Sequence, residues 1–345
     1  MPLFTVARAA LAEVLASVGR KGSALYLPVL AGERWVWRRV EPGSVAAVSL
    51  ELGPARATEP VKSLFFPPRG EVSRFFGQDA APDPTERVVV GARACDLAAL
   101  RNSDFIFLEG SFKDGFYAAR RERTLVISAD CSSPYEVCFC TAVEGKPHPE
   151  KGFDLNLSAL GGGSFLVETG SERGEKFVAE HKGAFREASD AQRAEREKAR
   201  AAVASALEKK VAAQGFFHGK GLRRVTRGRE EHAVWAKRAE SCVECGACNF
   251  VCPTCHCFYL LDVQEREGVR RFAQWDSCLF PKFARVAGGA NPRARRAERL
   301  LNRFEKKFTF FPEVMDALAC TGCGRCIEAC AGKIDLRQVL EELTR

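Results

Sequence analysis

Residues 242–258 read CVECGACNFVCPTCHCF, and residues 320–330 read CTGCGRCIEAC. The first contains Cys242-x2-Cys245-x2-Cys248-x3-Cys252-Pro253, and the second repeats the spacing as Cys320-x2-Cys323-x2-Cys326-x3-Cys330. This is the spacing that holds 4Fe-4S clusters. Three thiolates two residues apart wrap three corners of a cubane while the intervening amide N–H groups point at its sulfides. The fourth cysteine projects away on the following helix and reaches the neighbouring cluster. Gly246, Gly322 and Gly324 let the backbone approach closely. The pattern predicts one cluster on Cys242, Cys245, Cys248 and Cys330, and a second on Cys320, Cys323, Cys326 and Cys252. Structural zinc is the alternative, but zinc usually takes its four ligands from two separated pairs rather than two complete four-cysteine runs.

The rest of the chain gives these motifs their setting. Its 345 residues, 46% of them hydrophobic, suggest about two domains with a buried core and exclude collagen-like, low-complexity or wholly disordered classes. No run approaches the roughly 20 apolar residues of a transmembrane segment. The first residues lack the apolar core and cleavage site of a secretory signal, so a cytoplasmic location is expected. Thiols stay reduced there, and the 15 cysteines call for metal rather than a disulfide framework.

The cysteines divide the chain. Cys95, Cys131, Cys138 and Cys140 lie early, and the other eleven fall between Cys242 and Cys330. The early region reads as α/β: an amphipathic helix (7–18), strands at 24–29 and 34–40, a buried strand RVVVG (87–91), a helix opening at 96–100, and a strand TLVIS (124–128). Residues 186–213 lack Pro and Gly and predict a long connecting helix, read as a solvated spacer stitched by i,i+4 ion pairs. From Trp235 onward the chain reads as helical between motifs, with a basic helix at 292–307 and no hairpin. The predicted fold class is α+β. An α/β domain (1–185) is followed by a connecting helix (186–215) and an α-helical ferredoxin-like domain carrying two 4Fe-4S clusters (216–345).

Cys95, Cys131, Cys138 and Cys140 sit near two strand ends, where open α/β sheets place ligands, and four thiols are what a third iron–sulfur cluster needs. Zinc, or simple burial of some thiols, is the alternative. Cys255, Cys257 and Cys278, with His256 among them, are read as packing or thiol hydrogen bonding around the cluster held by the preceding run. His148, His181, His218 and His232 stand alone. The Gly161-Gly162-Gly163 run is a turn rather than a phosphate loop, and no flavin or nicotinamide fingerprint is present.

Several segments together resemble one family. CVECGACNFVCPTCHCF, WDSC (275–278), AGGANPR (287–293), NRFEKKF (302–308) and CTGCGRCIEAC are similar to the 4Fe-4S dicluster family containing hydrogenase β subunits and the iron–sulfur electron-transfer subunits of anaerobic sulfite reductase. GARACDLAAL (91–100), DGFYAARRE (114–122) and DCSSPYEVCFC (130–140) extend the likeness over most of the chain from about residue 60. Ala331 stands where that family usually has Pro, which affects the local turn but not the ligand pattern. The resemblance implies an electron-transfer subunit of a multisubunit oxidoreductase. A flavin subunit handling NAD(P)H would stand on one side of it, and a catalytic subunit of nickel-iron hydrogenase, sulfite reductase or heterodisulfide-reductase type on the other. An iron–sulfur enzyme with its own substrate, or a zinc-binding nucleic-acid or regulatory protein, is the competing class.

Charge bears on that last choice. The formal net charge is +8, and residues 218–307 alone carry 19 Lys and Arg against 10 Asp and Glu. A 4Fe-4S core with four thiolates carries about −2 when oxidised, so three clusters would bring +8 to about +2. Nucleic acid is then unnecessary as a partner, and half of these basic residues are read as a solvated face.

Overall fold

The computed structural model describes residues 2–45, 50–76, 80–215, 219–266 and 268–345; His218 lies outside them. In chain order the strands are β1 (Leu3–Ala7), β2 (Ala24–Ala31), β3 (Arg34–Val40), β4 (Arg69–Phe75), β5 (Arg87–Ala92) and β6 (Thr124–Ala129). They continue with β7 (Leu155–Leu160), β8 (Ser164–Thr169), β9 (Arg186–Glu187), β10 (Phe258–Glu265) and β11 (Gly268–Trp275). The helices are α1 (Arg8–Arg20), α2 (Ala94–Leu108), α3 (Gly115–Glu122), α4 (Glu172–Glu180), α5 (Asp190–Ala212) and α6 (Val234–Ala239). After these come α7 (Ala247–Phe250), α8 (Arg296–Glu305), α9 (Phe311–Met315), α10 (Arg325–Glu328) and α11 (Leu336–Thr344).

Eight strands form one sheet in the order β3-β2-β5-β6-β7-β8-β1-β9. Its centre, β2-β5-β6-β7, is parallel, and the flanking pairs are antiparallel. The apolar run of β5 reflects burial on both faces. Val88 and Val90 join Leu11, Leu15 and Ile127 under α1, while Val89 faces Phe65, Leu97, Leu100 and Val126 on the side of α2. Each such side chain contributes roughly 1.5–3 kcal/mol by leaving water. With both faces covered, the open positions lie at the carboxyl ends of β5 and β6, and the chain there leads directly into Cys95 and Cys131.

α5 occupies the predicted stretch but is not a detached spacer. Ser189 caps it through a reciprocal pair with Gln192, and Leu207 and Val211 are buried against the cysteine-rich half. Its ion pairs reach off the helix: Arg200 grips Asp130 at 2.7 Å, Arg196 reaches Glu168 at 3.2 Å, and Lys210 donates to the Tyr135 carbonyl at 2.8 Å. Arg and Lys spaced along an apparently polar helix gave no sign of this, because their partners are distant in sequence.

The cysteine-rich half corrects the expectation of helix alone between the motifs. Residues 258–275 form the hairpin β10-β11, and β4, from the early region, adds as a third strand against β11. Its core is thin. Phe258, Tyr259 and Leu260 are exposed, and opposed charges hold the strands: Asp262 faces Arg271 across the pair with an oxygen–nitrogen distance of 2.6 Å, and Glu71 of β4 takes Arg270 at 2.8 Å. The basic helix predicted at 292–307 begins later, at Arg296, capped by Glu298. It then passes through a π-helical turn at Lys306–Phe310 into α9.

Gly268 turns the hairpin with φ +130°, and a Cβ there would fall within 2.8 Å of the Phe76 carbonyl and closer still to that of Phe75. Gly268→Ala should therefore cost more than about 1 kcal/mol and unfasten β4 from β11 while leaving the large sheet intact. Limited proteolysis should show new cleavage within 258–275, and unchanged protection there would contradict the expectation.

Candidate metal centre

The two cysteine motifs adopt one backbone. Gly246 and Gly324 each stand before a single helical turn with φ +71° and ψ −4°, opening α7 and α10. The hydrogen bonds repeat: Asn249 N–H donates to the Gly246 carbonyl and Ile327 N–H to that of Gly324, both at 2.9 Å; Val251 and Ala329 bond back to Ala247 and Arg325, both at 3.0 Å. Each short helix carries the fourth cysteine away from the first three. One cavity is lined by Cys242, Cys245 and Cys248 together with Cys326 and Cys330 of the other motif. Cys252 lies reciprocally beside Cys320 and Cys326, close enough for their charges to interact.

The apparent basic face of α8 is buried. Arg299, Arg303 and Lys307 are spaced four apart and so share one side of the helix, which points at the thiols. Arg303 donates to the Asn249 side-chain oxygen at 3.0 Å and to the Cys248 carbonyl at 3.2 Å. Lys307 Nζ lies 3.2 Å from Cys252 Sγ, 2.8 Å from Thr254 Oγ1 and 3.4 Å from the Ala319 carbonyl. Lys62, from the early region, enters the same neighbourhood, donating to the Cys255 carbonyl at 2.7 Å and lying over the Trp275 ring. Among the described residues none of Arg303, Lys307 and Lys62 has a carboxylate ion-pair partner. Burial disfavours the charge on each. The Cys248 and Cys326 thiolates outweigh it at Arg303, and those of Cys252 and Cys255 outweigh it at Lys307, so both are held above their ordinary range. At Lys62 burial prevails and the ammonium is pushed down, with Cys255 and Cys252 opposing.

The early thiols converge from the sheet. Cys95 opens α2 just beyond β5, Cys131 follows β6, and Cys138 and Cys140 lie on the loop that ends in a turn at Cys140–Val143. The charge of Cys131 is felt at Cys95 and Cys140 and that of Cys138 at Cys131, while Cys323 of the second motif is felt at both Cys95 and Cys138. Arg93 braces this region, donating to the carbonyls of Ala55 at 3.1 Å and Gly53 at 2.8 Å and to those of Leu52 and Asp130.

This site abuts the second motif with no layer of side chains between. Phe139 N–H donates to the Gly322 carbonyl at 2.8 Å, and a Cβ on Gly322 would sit 2.5 Å from the Cys140 nitrogen. Gly322 and Gly324 also hold positive φ, so the close approach and the turn both require glycine. Two buried arginines lock the junction. Arg325 donates to Asp96 at 2.8 Å and to the Ala57 carbonyl at 2.9 Å, and Arg56 donates to the Cys323 carbonyl at 2.7 Å and to Glu328 at 2.8 Å. Asp96 adjoins Cys95 and Arg325 lies between Cys323 and Cys326, so one ion pair fastens both thiol sets.

Cys255, Cys257 and Cys278 line a separate cavity with His256, Lys306 and Lys307. Burial pushes the His256 pKa down to about 4, leaving the ring neutral, and its Nδ1 lies 3.2 Å from the Thr254 carbonyl. His181 lies on the Phe177 carbonyl and His232 accepts from Val234 N–H, whereas His148 follows Pro147, whose carbonyl accepts from Cys131 N–H at 2.9 Å. Among the described residues no three His, Cys, Asp or Glu side chains lie close enough to hold a single metal ion. Glycine at the points of closest approach and unneutralised cations at the rim suit a bulky anionic iron–sulfur core. The residues that sequence did not reveal are Arg56, Lys62, Asp96, Asn249 and Arg325. Only the position of Arg325 inside a cysteine motif could have hinted at its part.

Comparison with known proteins agrees. The 4Fe-4S dicluster domain family matches residues 241–334. Over 310 residues the chain is 31% identical to sulfhydrogenase 2 subunit beta of Pyrococcus furiosus, covering 89% of each chain. The chain belongs to the hydrogenase β-subunit family. A chain of the F420-reducing NiFe hydrogenase complex of Methanosarcina barkeri is similar at 10% identity and a TM-score of 0.36, over 62% of this chain and 92% of that one, a level that carries no argument. Among the described residues no helix is long and apolar enough to cross a membrane.

For this family member the Asp96–Arg325 pair is an exacting long-range contact, since both side chains are essentially inaccessible to solvent. Asp96→Ala leaves a buried, unpaired guanidinium and should cost about 3–5 kcal/mol. Chemical denaturation of the reduced, anaerobic protein should show it, and a loss below about 1 kcal/mol would contradict the assignment.

Proposed function

We propose that this hydrogenase β-subunit homologue relays single electrons through three 4Fe-4S clusters. Cys242, Cys245, Cys248 and Cys330 would hold the first, Cys320, Cys323, Cys326 and Cys252 the second, and Cys95, Cys131, Cys138 and Cys140 the third. The clusters, when bound, supply one-electron acceptance and release. What carries the reading is the set of buried cations without carboxylate partners, Arg303, Lys307 and Lys62, turned toward thiols. Such charges are costly to bury unless an anion is buried with them.

The chain's own residues fix the path. The exchange of fourth cysteines between motifs ties the first site to the second, and the Gly322 contact with residues 139–140 ties the second to the third. The first site reaches the surface, with Cys245 exposed and Val243 62% exposed beside it, which suits exchange with a partner. The partners would be a flavin subunit handling NAD(P)H and a catalytic subunit of nickel-iron hydrogenase, sulfite reductase or heterodisulfide-reductase type. The flavin would reside on the partner and the whole assembly in the cytoplasm.

Anaerobically purified protein should contain about 12 irons per chain and a broad absorbance that dithionite bleaches. Cys245→Ala should remove about four irons and interrupt transfer, and Cys138→Ala should remove only the four of the third site. Colourless protein with stoichiometric zinc, or unchanged iron in Cys138→Ala, would refute the corresponding assignment.

Lys307 should also tune the second site. Positive charge favours the reduced, more negative core, so Lys307→Met should lower its midpoint potential by roughly 60 mV or more, equivalent to about 1.4 kcal/mol. Potentiometric titration followed by electron paramagnetic resonance would measure the shift, and a rise would contradict it.

A further inference from the structure

Three thiols lie outside the twelve assigned to clusters, and two of them flank the open end of one hairpin and line the same cavity. Cys257 immediately precedes β10 and Cys278 follows β11, so the hairpin brings together residues 21 positions apart. The Phe258–Trp275 register and a 2.9 Å bond from Asp276 N–H to the Cys257 carbonyl close its open end. The Cys278 sulfur accepts from Asn249 Nδ2 at 3.1 Å. Asn249 in turn accepts weakly at its Oδ1 from the thiols of Cys248 and Cys255, at 3.9 and 3.8 Å. Both members of the pair line a cavity with Lys306 and Lys307, and Arg303 flanks it. Cationic surroundings of this kind favour thiolate, the reactive form of cysteine. Cys255 turns its thiol to Asn249 Oδ1, and His256 is turned to the Thr254 carbonyl. The remaining arrangement is a dithiol, not a metal-binding quartet.

We propose that Cys257 and Cys278 form a redox-active dithiol/disulfide pair, a two-electron store beside the one-electron centres. On oxidation the two S–H bonds break and one S–S bond forms. The two protons would leave to solvent, and the two electrons would be taken by oxidised 4Fe-4S centres, when bound, which accept one electron each. Reduction reverses every step. The pair gives a one-electron chain a place to hold a second electron until a two-electron partner reacts. The proposal rests on the relay reading for its electron acceptor, whereas its chemistry belongs to the two thiols alone.

The test uses the full iron-loaded chain, equilibrated anaerobically at a series of potentials, quenched with acid, and alkylated with isotope-coded reagents before and after reduction of disulfides. Peptide mass spectrometry should recover a Cys257–Cys278 linkage that appears and disappears reversibly with potential. Coulometric titration should find two electrons beyond those taken by iron. Cys278→Ser, and separately Cys257→Ser, should abolish both signals while iron content and cluster spectra stay as in the parent. Free thiols at both positions at every potential, in protein with full iron, would overturn the pair without touching the relay. Iron or zinc lost on Cys278→Ser would overturn it in favour of a further metal site. Protein without iron would instead refute the relay, and a potential-dependent linkage would still be measurable with a dithiol/disulfide buffer.

Discussion

The structure depends on burying positive charge against sulfur. Arg303, Lys307 and Lys62 are each about 5% exposed or less, and their hydrogen bonds go to carbonyls, an amide, a hydroxyl and a thiol rather than to carboxylates. An uncompensated ammonium or guanidinium in such a place would oppose folding by several kcal/mol. Burial pushes the thiols of Cys248, Cys320 and Cys326 up, so free thiols do not supply the compensation that an anionic iron–sulfur core bound by them would. On the proposed cluster assignment, folding of the cysteine-rich half and acquisition of iron would be one equilibrium, since the anion that neutralises the helix would also be the object its thiols surround. Among the described residues of 218–307 the buried basic side chains are Arg299, Arg303 and Lys307, and Arg299 is paired with Glu244, so interior counter-charge accounts for only a small part of the basic excess there.

Legibility from sequence followed the range of the interactions concerned. The two motif loops could be read directly because their geometry is local: cysteines at fixed offsets and glycine at positions that need φ near +70°. The central strands could be read because burial on both faces leaves an unbroken apolar run in β5. The hairpin could not. Its strands are joined by Asp262–Arg271 and Glu71–Arg270 rather than by an alternating apolar face, and one of those partners is about 200 residues away. The cations of α8 were hidden for a related reason. Arg299, Arg303 and Lys307 at i,i+4 spacing describe a solvated face as well as a buried one, and the thiols that distinguish the two come from other segments. The early cysteines were legible as a group by their strand-end positions, but their placement against the second motif depends on Asp96 and Arg325, separated by 229 residues.

The two motifs differ where their surroundings differ, which orients the chain of sites. At the second residue after the leading cysteine the first motif has Glu244 and the second has Gly322, both with positive φ. Glu244 tolerates that conformation because its side chain has room and a partner, Arg299. Gly322 has neither, since the backbone of residues 139–140 occupies the space a side chain would need. The same asymmetry recurs one step on: Gly246 is crowded by the side chains of Ser277 and Phe280, Gly324 by Val137. The repeated motif thus has one copy facing side chains near the surface and the other pressed on the backbone of the early cysteine loop. A spacing shared by both copies creates two equivalent cradles. The residues between the ligands then determine which cradle opens outward and which continues inward toward the sheet.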